Sequence, residues 1–149
     1  MEEGGYKLSQ DYAFKQDKQK VHNGEKDFST PSGIQDMISS FYYARTLNFK
    51  SAKVGDTFEF KCFMDDEIWP LKVKYLGDEK ISIRKGKFNC MKFAPVVQTG
   101  RVFKKQDDLS FWVTKDENRI PILVKAKIPV GSIKLHLVEW SGLKHDLVK

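Results

Sequence analysis

The second half of the chain alternates hydrophobic and polar residues with the period of two that is typical of β-strands. In the segment DTFEFKCFM this alternation places Phe58, Phe60, Cys62 and Met64 on one face. Comparable segments follow one another over residues 55–141 and are separated by short turns, among them Gly77–Asp78, Thr99–Gly100 and Pro129–Gly131. Connections this short join antiparallel neighbours. The pattern predicts an antiparallel meander of about seven strands.

Several of the predicted strands carry apolar residues on both faces, so each face needs a cover. Ile120, Ile122 and Val124 alternate with Leu123, and Leu109, Phe111 and Val113 alternate with Trp112. Pro70, Pro95 and Pro121 interrupt strand segments, where proline is tolerated at edges and bulges. Bulges curve a sheet. The predicted fold class is therefore mainly β: a curved antiparallel meander sheet or open barrel, with one principal α-helix packed on it.

One segment before the meander has helical spacing instead. Ile34, Met37, Ile38, Phe41 and Ala44 form an apolar stripe within a helix predicted over residues 32–47. Ser32 and Gln35 have the spacing of a capping box at its start. Residues 1–30 show weaker alternation and predict short strands with turns near 16–18 and 23–24. We expect a single domain over residues 1–149.

Charge and cysteine content narrow the function. The net charge is +6, but the lysines are spread along strands such as LKVKYL and LVKAKI, which is typical of a solvated face. We therefore expect no nucleic-acid partner. No apolar segment is long enough to span a membrane. The alternation favours a core thiol at Cys62, while a disulfide between Cys62 and Cys90 stays open as an alternative.

The chain lacks the residue combinations that catalysis needs. His22, His136 and His145 stand apart from any metal-ligand spacing, and the acidic clusters at 65–67, 107–108 and 116–117 coincide with predicted turns. We therefore predict no catalytic residue, no metal and no cofactor, and a protein that is not an enzyme.

A set of amphipathic residues has two interpretations. The set consists of Tyr42, Tyr43, Arg45, Trp112 and Arg119. In the first, the rings pack the helix on the sheet and the arginines satisfy backbone carbonyls or carboxylates. In the second, the five residues line a pocket that holds an anionic head group.

Four segments, FYYARTL, KVGDTFEF, GKFNCMKFAPVVQTG and LSFWVTKDENRIPILVKAKIPVGSIKLHLVEW, resemble the bacterial domain-of-unknown-function-3108 family over about residues 32–141. The resemblance is sharpest at WVTKDENRIP followed by PVGSIK and poor over the first thirty residues. It implies an exported, periplasmic protein of Gram-negative bacteria and supplies no catalytic residue. Members carry a signal and further strands before this region, which leads to the hypothesis that the chain is the C-terminal portion of a longer protein.

Two functional hypotheses follow. In the first, a non-enzymatic envelope protein binds an apolar or amphiphilic, lipid-like molecule within the curved sheet. In the second, a structural or protein-interaction module presents its surplus apolar face to missing N-terminal strands or to an envelope protein. Neither the ligand nor the oligomeric state follows from the sequence.

Overall fold

The computed structural model describes residues 2–3, 6–7, 9–96, 109–128 and 130–148. The fold is mainly β with one α-helix in these ranges, as predicted. The chain forms two compact units, Met1–Tyr43 with Lys61–Pro70 and Ala44–Phe60 with Leu71–Lys149. The single domain expected over residues 1–149 stays a prediction.

The first unit contains the short N-terminal strands. β1 (Glu2–Glu3) pairs with β2 (Tyr6–Lys7), and β3 (Ala13–Lys15), β4 (Lys20–His22) and β5 (Asp27–Ser29) form a three-stranded antiparallel sheet. A 3-10 turn at Gln16–Lys18 joins β3 to β4, close to one predicted turn. At the other, Asn23 accepts hydrogen bonds from the amides of Glu25 and Lys26. Val21, Ile34 and Phe63 form the core, and the rings of Tyr12, Phe14 and Phe28 contact Phe63.

The helix α1 spans Met37–Ala44 and is shorter than the predicted 32–47. The predicted capping box of Ser32 and Gln35 is wrong, because the backbone of Gln35 forms an extended bridge with Cys62. Asp36 caps the helix instead and accepts hydrogen bonds from the amides of Ile38 and Ser39 at 2.8 and 2.9 Å. The predicted apolar stripe is largely exposed: Ile38 is 71% exposed, and only Ser40 is buried within α1.

The meander is a six-stranded antiparallel sheet in which every strand pairs with its neighbours in the chain. Its strands are β6 (Thr57–Met64), β7 (Glu67–Ile83), β8 (Gly86–Pro95), β9 (Leu109–Thr114), β10 (Pro121–Ile128) and β11 (Gly131–His136). β6 and β11 are the edge strands, so over the described residues the sheet is open and forms no closed barrel. The residues of β6 and β7 are divided between the two units.

One strand replaces two that the sequence predicted. The turn expected at Gly77 and Asp78 is a bulge inside β7: pairing with β8 continues across it, with a shift between Tyr75 and Gly77. Gly77 has a φ of +108°, a conformation that glycine adopts easily, so the sequence signal resembled a turn. The acidic turn at Asp65 and Asp66 is present, with both residues at positive φ as in a two-residue hairpin. The predicted turn at residues 99–100 and the acidic cluster at 107–108 lie outside the described residues. The reversal predicted over residues 129–131 is confirmed by the pairing of Ile128 with Gly131, although Pro129 itself lies outside the described residues.

The second unit has a hydrophobic cluster on each face of its sheet, as the two-sided strands predicted. One face carries Phe49, Val73, Tyr75, Met91, Phe93 and Val113. The other carries Ile81, Phe88, Cys90, Trp112, Ile120, Ile122 and Leu123, with Trp140, Leu143 and Leu147 of the C-terminal segment packed on it. Val113 and Trp112 thus lie on opposite faces. The expected opposition of Ile122 and Leu123 is wrong, because a bulge beside Pro121 brings both into one cluster.

Candidate functional site

The five residues proposed to line a pocket are divided between the two units, and the pocket stays a prediction. Tyr42 and Tyr43 belong to the first unit and have exposed side chains. Arg45, Trp112 and Arg119 belong to the second unit, where Trp112 is buried.

The two arginines bind backbone carbonyls. Nε and Nη2 of Arg45 donate to the carbonyl oxygen of Asn118 at 3.1 and 2.7 Å. Nη1 of Arg119 donates to the carbonyl oxygen of Arg45 at 2.5 Å, and its guanidinium lies 5.6 Å from the centre of the Phe49 ring. Both arginines thus satisfy backbone carbonyls, as the first interpretation of the sequence expected. Their hydrogen bonds hold the segment after α1 against the β9–β10 turn.

Asp116 organises the same turn. Its Oδ1 accepts hydrogen bonds from the Thr114 hydroxyl at 2.7 Å and from the amides of Asn118 and Arg119 at 3.0 Å. Its Oδ2 accepts one from the amide of Val148. The carboxylate is thus engaged in turn formation, as the sequence predicted for this acidic cluster.

Trp112 lies on the face covered by the C-terminal segment. Its Nε1 donates to Glu79 at 2.9 Å, and the ammonium of Lys92 lies 5.0 Å from the centre of its ring. A buried indole usually finds such an acceptor, so these contacts are those of a packed core residue.

An open cavity of about 380 Å³ lies in the second unit and is lined mainly by polar side chains. Its lining residues are Asp78, Glu79, Lys80, Asn89, Cys90, Lys115 and Val148. Asp78 accepts a hydrogen bond from the Tyr75 hydroxyl at 2.6 Å and forms an ion pair with Lys115. Burial and the Asp78 hydrogen bond raise the pKa of Tyr75 to about 12. Burial alone would raise the pKa of Asp78, but the bonds from Lys115 and Tyr75 outweigh it and hold this pKa low.

These groups are poorly suited to acid–base or nucleophilic chemistry. The Asp78 carboxylate already accepts two hydrogen bonds, which lower its basicity. Burial raises the pKa of the Cys90 thiol to about 11, so its thiolate is scarce near neutral pH. Among the residues that the structure describes, no group of three His, Cys, Asp or Glu side chains could hold a metal ion.

The cysteines and histidines have ordinary structural surroundings. Cys62 and Cys90 are both buried free thiols, so the alternative of a disulfide between them is wrong. Cys62 is fully buried, as its place in the alternating pattern predicted. Nδ1 of His22 contacts Asp27 at 2.9 Å in the first unit, and His136 is exposed on β11. No described helix has the length and apolarity to cross a membrane.

The least covered part of the second unit is the hairpin of β10 and β11. All six residues of β11 are exposed, including Ile133 at 53% and Leu135 at 65%. Ile133 pairs with Ala126 and Leu135 with Val124, so these four side chains share one face. Because Val124 pairs with Phe111, the apolar face continues into β9 and from there into the core. The alternating sequence pattern predicted that β11 is a strand. It did not predict that β11 is exposed, because the exposure results from the position of β11 at the sheet edge.

These features define a mainly-β protein built on an open antiparallel meander. Arg45 and Arg119 stabilise its β9–β10 turn, and the edge strand β11 is exposed and apolar on one face. The sequence profile of the family described as protein of unknown function (DUF3108) matches residues 1–138, so the chain belongs to that family. The match starts at residue 1, which corrects the resemblance restricted to residues 32–141. No curated protein and no solved structure matches the chain.

Proposed function

We propose that the protein is a non-enzymatic interaction module of the cell envelope that binds a partner protein through the exposed edge of its six-stranded sheet. The observation that carries the proposal is that all six residues of β11 are exposed, in an edge strand whose Ile133 and Leu135 continue the apolar face of the core. Exposed apolar surface that continues a core is typical of interaction sites.

The same geometry favours this proposal over a lipid-like ligand held inside the sheet. In the second unit, packed side chains occupy both faces. The cavity lined by Asp78 and Lys115 is open, and five of its seven lining residues have charged or amide side chains, whereas ligand cavities for apolar molecules are enclosed and lined mostly by hydrophobic residues. Binding of a lipid-like molecule within the sheet stays a prediction, and the described residues of the second unit show no enclosed apolar cavity for it.

Placement in the envelope rests on the resemblance described above rather than on geometry. Fractionation of Gram-negative cells that produce the protein naturally tests it: recovery in the periplasmic or membrane fraction is expected. Recovery in the cytosolic fraction alone would contradict this part of the proposal.

Site-specific photo-crosslinking tests the binding surface. A photoreactive residue at Ile133 should form one discrete protein adduct in those cells. The matched control is Lys87, an exposed residue of β8, which lies three strands away from β11 in the sheet, and no such adduct is expected there. The crosslinked partner must then yield the same adduct from a reactive residue of its own. Equal adducts at both positions, or none at Ile133, would contradict the proposed function.

A further inference from the structure

The backbone of β11 offers a row of hydrogen-bonding groups along the open edge of the sheet. The amide of Leu137 donates inward to the carbonyl of Ile122 at 3.0 Å, continuing the β10–β11 register. In an antiparallel pair, residues alternate between inward and outward backbone groups. Ile133 and Leu135 therefore bond to β10, whereas the N–H and C=O groups of Ser132, Lys134 and His136 face outward. No described strand lies beyond them.

The side chains of the hairpin separate by chemistry. The apolar face carries Val124, Ala126, Ile133 and Leu135, as described above. The opposite face carries Lys134 directly across from Lys125, and His136 across from Leu123. Residues 119–138 contain no Asp or Glu. Beyond Leu123, which belongs to the core cluster with Trp112, the end of the sheet is thus apolar on one face and basic on the other.

The pair of Lys125 and Lys134 makes the basic face receptive to an acidic residue. Like charges directly opposite each other destabilise a sheet, whereas opposite charges contribute roughly 0.2–1 kcal/mol. Within the ranges that the structure describes, neither lysine forms a salt bridge. A carboxylate on a strand added beside β11 would lie next to Lys134 and offset the repulsion.

We propose that β11 accepts an added strand from a partner protein, and that this strand alternates acidic with apolar side chains. The inference rests on the proposed function and deepens it by naming the mode of binding and the chemistry of the partner. Backbone hydrogen bonds to Ser132, Lys134 and His136 supply affinity, as in other complexes formed by strand addition. The alternation supplies specificity: acidic side chains meet the basic face, and apolar side chains meet Ile133 and Leu135.

A second copy of β11 is a poor occupant of the same edge. Antiparallel registers that keep the apolar faces together place Lys134 opposite Lys134, Ser132 or His136, because the strand has no acidic residue. None of these pairs provides an opposite charge. Charge complementarity therefore favours a different, acidic strand.

The experiment measures binding of synthetic peptides to the full chain by fluorescence anisotropy. The probe is a seven-residue peptide that alternates valine and glutamate, and its matched control alternates valine and lysine. We expect binding of the glutamate peptide only, with affinity that falls as salt is raised. Equal binding of both peptides, or binding of neither, would overturn the inference.

Variants of the strand separate backbone pairing from charge. Lys134→Gln should weaken binding about 1.4- to 5-fold, the loss expected for one cross-strand charge pair. Lys134→Glu should reverse the preference toward the lysine peptide. Lys87→Gln removes another exposed lysine, three strands away from β11, and should leave binding unchanged.

Strand addition itself is tested on the peptide, so that folding of the protein is unaffected. Methylation of the peptide nitrogens that face β11 removes their hydrogen bonds and should abolish binding, whereas methylation of the nitrogens that face away should not. Equal binding of the two methylated peptides would overturn strand addition. If the Ile133 crosslink forms but no alternating acidic peptide binds, this inference fails and the proposed function stands. If neither is seen, both fail.

Discussion

Arg45 and Arg119 are linked reciprocally: Arg45 donates to the carbonyl beside Arg119, and Arg119 donates to the carbonyl of Arg45 itself. Both side chains therefore satisfy backbone acceptors within the second unit. A guanidinium has five donors in a fixed fork, which suits such multiple contacts. These hydrogen bonds stabilise the β9–β10 turn, and the contribution of the turn to the free energy of unfolding can be measured.

Asn118 is the buried centre of that turn and provides the first prediction. Its side-chain amide donates to the carbonyl of His145 at 2.9 Å and accepts from the amide of the same residue at 3.2 Å. Asn118→Ala should lower the free energy of unfolding by about 1–3 kcal/mol, because the backbone of His145 loses two partly buried hydrogen bonds. Urea denaturation measures this. Glu117→Ala, which removes only an exposed ion pair with Lys50, should cost less than about 1 kcal/mol. Equal costs would contradict the account.

The cap of α1 gives a prediction about local stability and pH. Hydrogen bonds from Ser39 lower the pKa of Asp36. A carboxyl with a lowered folded pKa contributes stability above its unfolded pKa, near 3.9, and loses it as pH falls through the folded pKa. Asp36→Ala should therefore destabilise α1 by about 0.5–2 kcal/mol at neutral pH. Hydrogen exchange at the helix amides reports this directly.

The matched control for the cap is Asp36→Asn, since asparagine caps helices about as well as aspartate. This variant should keep α1 protected at pH 7 and remove the loss of protection attributable to this carboxyl in acid. If Asp36→Ala leaves exchange at Ile38 and Ser39 unchanged at neutral pH, Asp36 is not the cap in solution.

The two free thiols should react only after unfolding. Cys62 and Cys90 are fully buried, and burial raises the pKa of both. A thiol reagent at pH 8 should modify neither in the native protein and both in denaturant. Because the raised pKa belongs to the folded state, this contribution to stability is full below the unfolded pKa, near 8.5, and declines as pH rises toward about 11. Fast labelling of the native protein would refute the buried placement.

The bulge in β7 predicts an unequal response at two glycines with similar φ. Gly77 has a φ of +108° and Gly55 one of +101°, so alanine is strained at both. A Cβ at Gly77 would lie 3.3 Å from Cγ2 of Val54, whereas one at Gly55 meets nothing within 4 Å. Gly77→Ala should therefore lower the midpoint of thermal unfolding more than Gly55→Ala does. Adding Val54→Ala should reduce that difference; an unchanged difference would contradict the contact.

The sequence predicted the fold class well because alternation and short turns report directly on strands and their antiparallel pairing. It also predicted the two-sided burial of Val113 and Trp112 and the buried thiol at Cys62. It failed where one residue changes the local geometry: Gly77 looked like a turn, and the bulge that was expected at Pro121 was not carried through to its consequence, which is that Ile122 and Leu123 share one cluster. The hydrophobic period of two does not show where a bulge adds an extra residue to a strand.

The candidate surface was harder to predict than the fold. Strand alternation places Ile133 and Leu135 on one face, but that face could equally be buried. Only the strand order shows that β11 lies at the edge, and only the register shows that Lys134 faces Lys125. The sequence left two interpretations open for Arg45 and Arg119, and only the structure shows that both donate to backbone carbonyls at a turn.

Amide exchange along β11, measured by NMR, tests the central claim most directly. In the free protein the amides of Ser132, Lys134 and His136 should exchange faster than those of Ile133 and Leu135, since they face outward. Addition of the alternating valine–glutamate peptide should slow the first three selectively. Uniform exchange along the strand in the free protein, or no gain of protection at those three amides with the peptide, would contradict an open edge that accepts a strand.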